Sequence, residues 1–600
     1  MSAFDDQRFE QKKKAVLPFL QRMFKAALRH RGYFVMLVVL ALITAVAEAG
    51  IPILWQRFID LWVTPAVEAR QAGEAVDMAA FGNFGVGFFS LYLTMVLAIG
   101  GFIVASGRLQ ELVIYDLRNQ MFERLQYLSY GFYDRNAIGH LAIRLTSDVR
   151  KVARVVAWGF LDLLFGLFLL VVSLTAMFIY NWKLSLVVLF TIPLLLFLAI
   201  RVRGLVIGNS RKARRLYSEM AAFLTEHING VEVNKATVQE ERVSEEFEAV
   251  TERYRYSSTR AALYASMYSP IVVGTGSLAA ALVIYLGGHL ALAGAAGITI
   301  GVLAAFFGYA RQIFEPIYQI TNYVMAAQDS LSAGERIFSL IDEPLRITDR
   351  EGVEEAFGEI QGDIRFRDVD FHYVADKPIL QNFNLHLPAG QSVALVGATG
   401  SGKTTLSNLI ARFYEPQRGH LEIDGVDYRE RTLSSYRQQL GIILQTPHLF
   451  SGTLRENLCY GKLDATDAEI EQALRTIGAM QFLGRLDEPV GEEGNQLSTG
   501  EKQLISFARA LLKDPRVLIM DEATSSVDTL AEQQIQNGID RMIEGRTSIL
   551  IAHRLSTIRN CDRILVISEG QVIEDGSHAE LMAKKGHYFQ LYQRQGAVPG

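Results

Sequence analysis

The sequence predicts a six-span α-helical membrane domain with long cytoplasmic helix extensions, fused to an α/β domain built around a P-loop. Three observations predict it. Residues 33 to about 325 hold six apolar stretches, each close to the ~20 residues a helix needs to cross a bilayer. The apolar run Ser392–Val396 leads straight into a glycine-rich loop and a helix start. A later apolar run, Val517–Met520, ends in two adjacent acids, Asp521 and Glu522. The 600-residue chain is 50% hydrophobic and 20% charged, an average that hides these two regimes. The expected organisation is an N-terminal interfacial helix region at 1–30, a membrane domain at 31–330, a linker at 331–361 and a soluble domain at 362–600.

The spans are expected at about Tyr33–Trp55, Phe81–Ser106, Val155–Tyr180, Leu184–Ile200, Tyr264–Gly287 and Ile300–Val324. The segments after the second and fourth are long and basic, with Arg118, Arg124 and Arg135 in one and Arg201, Arg211 and Lys212 in the other. The other connections are short or poor in Lys and Arg. The positive-inside rule then places both basic segments, both termini and the soluble domain in the cytoplasm of a multi-pass cell (inner) membrane protein. Arg108–Tyr130 and Leu216–Tyr256 keep a helical apolar period, so spans are expected to run on into the cytoplasm and reverse near Gly131–Leu141 and Gly230–Gln239. Such reversals would touch the soluble domain and carry its motion to the membrane.

Before the first span, Leu20, Met23, Phe24, Ala27 and Leu28 recur at helical spacing among basic residues, as a helix on the inner membrane surface or a solvated lead-in. No signal peptide is expected. Cys459 and Cys561 lie far apart and suggest neither a disulfide framework nor a metal site. A net charge of −5 argues against nucleic acid as a partner. Ionisable residues inside spans are costly, which singles out Arg311 and Glu315, four apart in the sixth span beside Gln312, and Glu48 in the first. They line a polar substrate path or brace the bundle.

The loop Gly397-Ala398-Thr399-Gly400-Ser401-Gly402-Lys403-Thr404 matches G-x-x-x-x-G-K-[ST], and Thr405 continues into a helix. Glycines let backbone N–H groups wrap a phosphate chain, Lys403 neutralises its outer phosphates, and the Thr404 hydroxyl suits Mg²⁺. Upstream, Tyr373 ends a strand-like run and is placed to stack on an adenine ring. Gln445 follows the apolar run Leu440–Leu444 and is a candidate for the metal or the attacking water. Asp521 is expected to hold the Mg²⁺ shell, Glu522 to polarise the water, and His553, after another apolar run, to contact the γ-phosphate. Ser498-Thr499-Gly500-Glu501 sits at a helix start ahead of the two acids.

These residues resemble the nucleotide-binding domain of ATP-binding cassette proteins. Tyr373 matches the A-loop, 397–404 the Walker A motif, Gln445 the Q-loop, 497–501 the signature, 517–522 the Walker B motif, Asp528 the D-loop and His553 the switch histidine. With six spans fused in front, the whole chain resembles a bacterial half-transporter of the exporter type. The resemblance implies that ATP lies between one chain's Walker A and a second chain's signature, so a partner half-transporter is needed.

The chain departs from the family at two signature positions. Thr499 stands for the first glycine and Glu501 for the glutamine of the common Leu-Ser-Gly-Gly-Gln. Thr499 adds bulk where the backbone must approach closely, and Glu501 adds negative charge near phosphate unless it is compensated. In the preceding X-loop, Glu493 replaces the usual arginine. An altered signature beside an intact Glu522 resembles one chain of a heterodimeric multidrug exporter and favours a heterodimer over a homodimer. The implied function is ATP-driven export of an amphipathic or lipophilic drug or lipid by alternating access, with ATP and Mg²⁺ as cofactors. The alternatives are an ATP-gated regulatory or channel-like subunit, or an importer.

Overall fold

The computed structural model describes residues 21–73, 79–292, 297–521, 529–551 and 555–596. In chain order, the helices that matter below are α1 (Arg31–Phe58), α2 (Ala79–Tyr127), α3 (Tyr130–Arg135), α4 (Phe160–Tyr180), α5 (Trp182–Asn229), α6 (Glu240–Ser266), α7 (Tyr268–Leu292), α8 (Ile300–Gln312), α9 (Glu315–Ile341), α10 (Lys403–Ile410) and α11 (Thr499–Leu512). The chain divides into two units. One is Met1–Leu125 with Gly139–Asp342; the other is Gln126–Ile138 with Glu343–Gly600.

The first unit is all helix. Five described stretches are long and apolar enough to cross a membrane: Arg31–Gln71, Phe81–Tyr127, Ile138–Tyr180, Trp182–Asn229 and Glu240–Leu292. Helices α2 and α5 have 49 and 48 residues. At ~1.5 Å per residue each is about 70 Å long, more than twice the ~30 Å hydrocarbon core. Long extensions beyond the spans follow directly. Asn181 starts α5 sharply, its Oδ1 accepting from the N–H groups of Lys183 (3.1 Å) and Leu184 (3.2 Å).

The sixth apolar stretch is not one helix. It breaks at Ile313–Phe314 into α8 and α9. Pro316, in the first turn of α9, has no N–H for the Gln312 carbonyl, and its ring crowds that carbonyl. The i, i+4 pairing expected of Arg311 and Glu315 presumed an unbroken helix. They lie on either side of the break; Arg311 is exposed, and the Glu315 side chain lies outside the described residues. Helix α9 then runs to Ile341, well into the stretch expected as a linker from 331.

Polar pins hold these helices where apolar packing alone gives no register. Asp60, in the π-helical turn Ile59–Val63 after α1, accepts from Gln56 Nε2 (2.8 Å), Thr299 Oγ1 (2.6 Å) and the Gly301 N–H (2.9 Å). It thereby caps α8 from the end of the first span. At the other end, Asp148, 0% exposed, takes a two-pronged hydrogen bond from Arg336 of α9, both arms 2.8 Å. Gly159 lets Tyr323 of α9 pack closely, since a Cβ there would come within 2.7 Å of the ring.

The second unit contains two sheets. Strands β1 (Ile364–Val374), β2 (Lys377–Leu387), β3 (Ser392–Val396), β4 (Arg418–Ile423), β5 (Val426–Asp427), β6 (Leu440–Ile443), β7 (Val517–Asp521), β8 (Thr547–Ile551), β9 (Arg563–Ser568) and β10 (Gln571–Gly576) follow in order. An antiparallel sheet has the order β2-β1-β4-β5, and a six-stranded sheet the order β10-β9-β3-β8-β7-β6. The pairs β9–β3, β3–β8, β8–β7 and β7–β6 are all parallel. Strands β3 and β8 are buried along their whole length, which suits the apolar runs Val393–Val396 and Ile549–Ile551 within them. Parallel strands bring their carboxyl ends to one edge, and that edge carries the site.

Candidate functional site

Four neighbouring parallel strands end beside one another. Strand β3 runs into the loop 397–402, β6 is followed by Gln445, β7 ends at Asp521, and β8 ends at Ile551. Glu522, Asp528 and His553, expected in catalysis and signalling, lie outside the described residues.

The loop has the backbone its glycines predict. Gly397, Gly400 and Gly402 have φ of +154°, +81° and +110°, so Gly400 and Gly402 adopt a conformation that side-chain-bearing residues rarely take. At Gly397 an added Cβ would lie 2.2 Å from the Ile567 carbonyl oxygen, so that strand approach admits glycine only. Lys403 is 7% exposed and its Nζ donates to the carbonyls of Gly397 (2.9 Å) and Ala398 (2.8 Å). Burial pushes its ammonium below the ordinary range, and Asp521 pulls it back up. Ser401 Oγ is buried without a hydrogen-bond partner among the described residues. A buried cation, an orphaned hydroxyl and a helix N-terminus form a donor set that fits a phosphate chain.

Thr404 is exposed in the first turn of α10, and Thr405 is buried behind it. Asp521 is half-buried at the end of β7, while Gln445 is exposed beyond β6. No cluster of three or more His, Cys, Asp or Glu side chains exists among the described residues. A phosphate-bound Mg²⁺ does not need one, because the Thr404 hydroxyl and Asp521 carboxylate would supply the protein's share beside phosphate oxygens. When bound, that ion would neutralise phosphate charge.

Tyr373 lies at the end of β1, 41% exposed. Its hydroxyl donates to Thr405 Oγ1 (3.4 Å) and accepts from Asn408 Nδ2 (3.2 Å), both on α10. These contacts fix the ring beside the phosphate loop with part of its surface open.

The signature segment opens α11 as the spacing predicts, and Glu501 has a structural role there. Ser498 is the N-cap. Its Oγ accepts from the Glu501 N–H (3.2 Å), while the Ser498 N–H donates to Glu501 Oε2 (2.9 Å). Arg485 Nη1 donates to Glu501 Oε1 (3.2 Å). Burial pushes the Glu501 carboxyl up, but Ser498 and Arg485 together hold it below the ordinary carboxylate range. The charge that the sequence places near phosphate is therefore compensated within the chain. The Ser498 proton stays available as a donor. Thr499 is exposed in the first turn and Gly500 is buried.

This cap makes a testable claim. Ser498→Ala is expected to destabilise the first turns of α11 by about 1 kcal/mol. Because the Glu501 pKa is depressed, its contribution is full above the ordinary carboxylate range and lost as pH falls through the depressed value. Amide exchange of Thr499–Leu504 at neutral and acidic pH measures both. Equal protection in the variant and the parent protein would remove the cap from the account.

In the membrane unit, Gln312 is half-buried with a buried Oε1 that lacks a partner among the described residues, and Glu48 is half-buried in α1. Two acids escaped the sequence reading. Asp60 is the pin described above. Asp162 lies in α4, exposed and without a hydrogen bond or ion pair among the described residues. The rule that singled out Arg311, an ionisable residue inside a span, applies to Asp162 equally.

Comparison with known proteins gives a consistent picture. The family model described as ABC transporter transmembrane region matches residues 34–317, and the one described as ABC transporter matches 380–525. An ATP-dependent lipid A-core flippase of Syntrophus aciditrophicus is 35% identical, over 80% of this chain and 80% of its own. A Staphylococcus aureus ATP-binding/permease protein whose proposed activity is multidrug export is also 35% identical, over 80% of this chain and 84% of its own. The structure of a bacterial Atm1-family ABC exporter with ATP bound superposes with a TM-score of 0.75 at 27% identity, covering 95% of this chain and 99% of that one.

Proposed function

The chain belongs to the ATP-binding cassette transporters as an exporter-type half-transporter with an ATPase domain, and from that premise we propose that it exports an amphipathic or lipophilic substrate by alternating access. The observation that carries this reading is the fusion of membrane-spanning helices to a phosphate-fitting loop, flanked by Asp521 and a satisfied signature helix, in one chain. ATP binding would close two cassettes across Lys403 of one chain and Ser498 of another. The long helices would transmit that closure, and hydrolysis at Glu522 would reset it. Apolar spans with few charges favour a drug-like or lipid cargo. The same reading keeps the termini and ATPase domain cytoplasmic in the cell membrane.

A second half-transporter chain completes the site in this reading. Support comes from the second helical reversal, where Ile228, Val231, Val233 and Val238 are exposed at 61%, 46%, 64% and 80%. Apolar side chains grouped at a reversal suit a surface that a partner covers. Thr499 and Glu493 favour a distinct partner chain. Glu501 no longer does, since Arg485 answers its charge. Native mass measurement of the complex from its host is expected to give two different half-transporters; two copies of this chain alone would overturn the heterodimer. For the cargo, proteoliposomes should show ATP-dependent movement of a fluorescent phospholipid or a lipophilic dye. Movement of neither despite hydrolysis would refute the export reading.

A further inference from the structure

We propose that Tyr414 is a positioning residue that reports whether a base is stacked on Tyr373 to the short helix α3, so that the membrane helices receive the nucleotide signal only when the triphosphate carries a base. The inference rests on the reading of Tyr373 as the adenine-stacking residue.

The second unit includes α3 itself, together with the P-loop helix α10 and strand β1. Two adjacent aromatics just past the end of α10 grip α3. Phe413 stacks on Tyr130, ring centroids 5.1 Å apart and planes 10° from parallel. The Tyr414 hydroxyl donates a hydrogen bond to the Asp134 carboxylate. Between these two contacts lies Gly131, where a Cβ would come within 3.0 Å of the Tyr414 ring, so the tyrosine lies directly against the α3 backbone.

The other side of Tyr414 meets the base site. Its ring stands edge-on to Tyr373, centroids 4.9 Å apart and planes at 86°, and edge-on to Phe371 at 5.7 Å. Of the residues in this cluster, Tyr414 contacts both Tyr373 and Asp134. Edge-to-face packing depends on ring orientation. A base lying on the open face of Tyr373 restricts that ring, and the restriction passes to Tyr414 and through its hydroxyl to Asp134. Burial and the Asp134 carboxylate push the Tyr414 phenol well above its ordinary range, so it stays a neutral donor at physiological pH. Phosphates act elsewhere. They meet the N-terminal end of α10, while Tyr414 lies beyond its C-terminal end. By chain connectivity, α3 lies between α2 and the helical segments that lead to α4, so a signal on α3 enters both.

Amide hydrogen exchange on the full-length complex tests this, with Glu522→Gln to stop turnover. The probes are ATP and inorganic tripolyphosphate, and the readouts are the peptides covering 397–404 and 130–135. ATP is expected to slow exchange in both. Tripolyphosphate is expected to slow exchange at 397–404 while leaving 130–135 unchanged. Tyr414→Phe, which keeps the ring and loses the hydroxyl, and Asp134→Asn should each lose the ATP effect at 130–135 by roughly 3- to 10-fold, as loss of one oriented contact predicts, and keep it at 397–404. Equal protection of 130–135 by tripolyphosphate and ATP would overturn the proposal, as would full protection in Tyr414→Phe. A Tyr373→Ala protein that keeps wild-type ATP affinity would sink the base-stacking premise and the proposal with it. Failure of ATP to protect 397–404 would sink the ATPase assignment instead.

Discussion

Glu522→Gln is expected to lower ATP turnover by about 10²- to 10⁴-fold while leaving ATP binding intact. Glu522 follows Asp521 in the sequence, and Asp521 is the last residue of β7, at the edge where β3, β8, β7 and β6 all end. Asp521 there interacts with Lys403, which places the strand end beside the phosphate loop. Phosphoryl transfer to water asks the protein for little covalent chemistry; it needs charge neutralisation and an oriented nucleophile. Replacing Glu522 by its isosteric amide would remove the proposed proton acceptor while keeping the side chain's size. Phosphate release under saturating ATP, paired with nucleotide binding, reads both halves of the claim. Near-normal hydrolysis would take Glu522 out of its role.

Lys403→Ala is expected to act one step earlier, weakening ATP affinity by roughly 10- to 100-fold. Hydrogen bonds to charged groups contribute about 1.5–3 kcal/mol, and each ~1.4 kcal/mol is tenfold in affinity. Lys403 is buried against its own loop, with two carbonyls below 3 Å. Its removal would take away the cation proposed to neutralise the phosphates and leave both carbonyls without that donor. Lys403→Arg is not expected to rescue binding, because a planar fork does not fit where a compact ammonium sits. Equilibrium binding of a fluorescent ATP analogue measures the change, and unchanged affinity in Lys403→Ala would contradict the loop's assignment.

Much of this site was legible in the sequence for a physical reason. Buried parallel strands are largely apolar, so Val393–Val396 and Val517–Met520 stand out, and the candidate site lies where each stops. The predominantly apolar composition of the sixth span, despite Arg311, Gln312 and Glu315, predicts one helix. The break follows from a single missing N–H at Pro316, which composition does not register. Asp162 is legible by the same rule as Arg311, as an ionisable residue inside a span. Contacts of long range were not legible at all. Tyr414 and Asp134 are 280 residues apart, and Asp60 meets Thr299 from 239 residues away. The role of Glu501 was half-legible: Ser-x-x-Glu is a capping box on sight, whereas Arg485 reaches it through a turn that no local pattern encodes.

In the proposed function, hydrolysis in this chain drives cargo across a bilayer. The most direct measurement records phosphate release and movement of a fluorescent phospholipid or lipophilic dye in the same proteoliposomes, for the wild-type complex and for Glu522→Gln. Wild type is expected to hydrolyse ATP and move cargo, and the variant to lose both together while still binding ATP. Hydrolysis without movement in wild type, or movement that survives in Glu522→Gln, would contradict it.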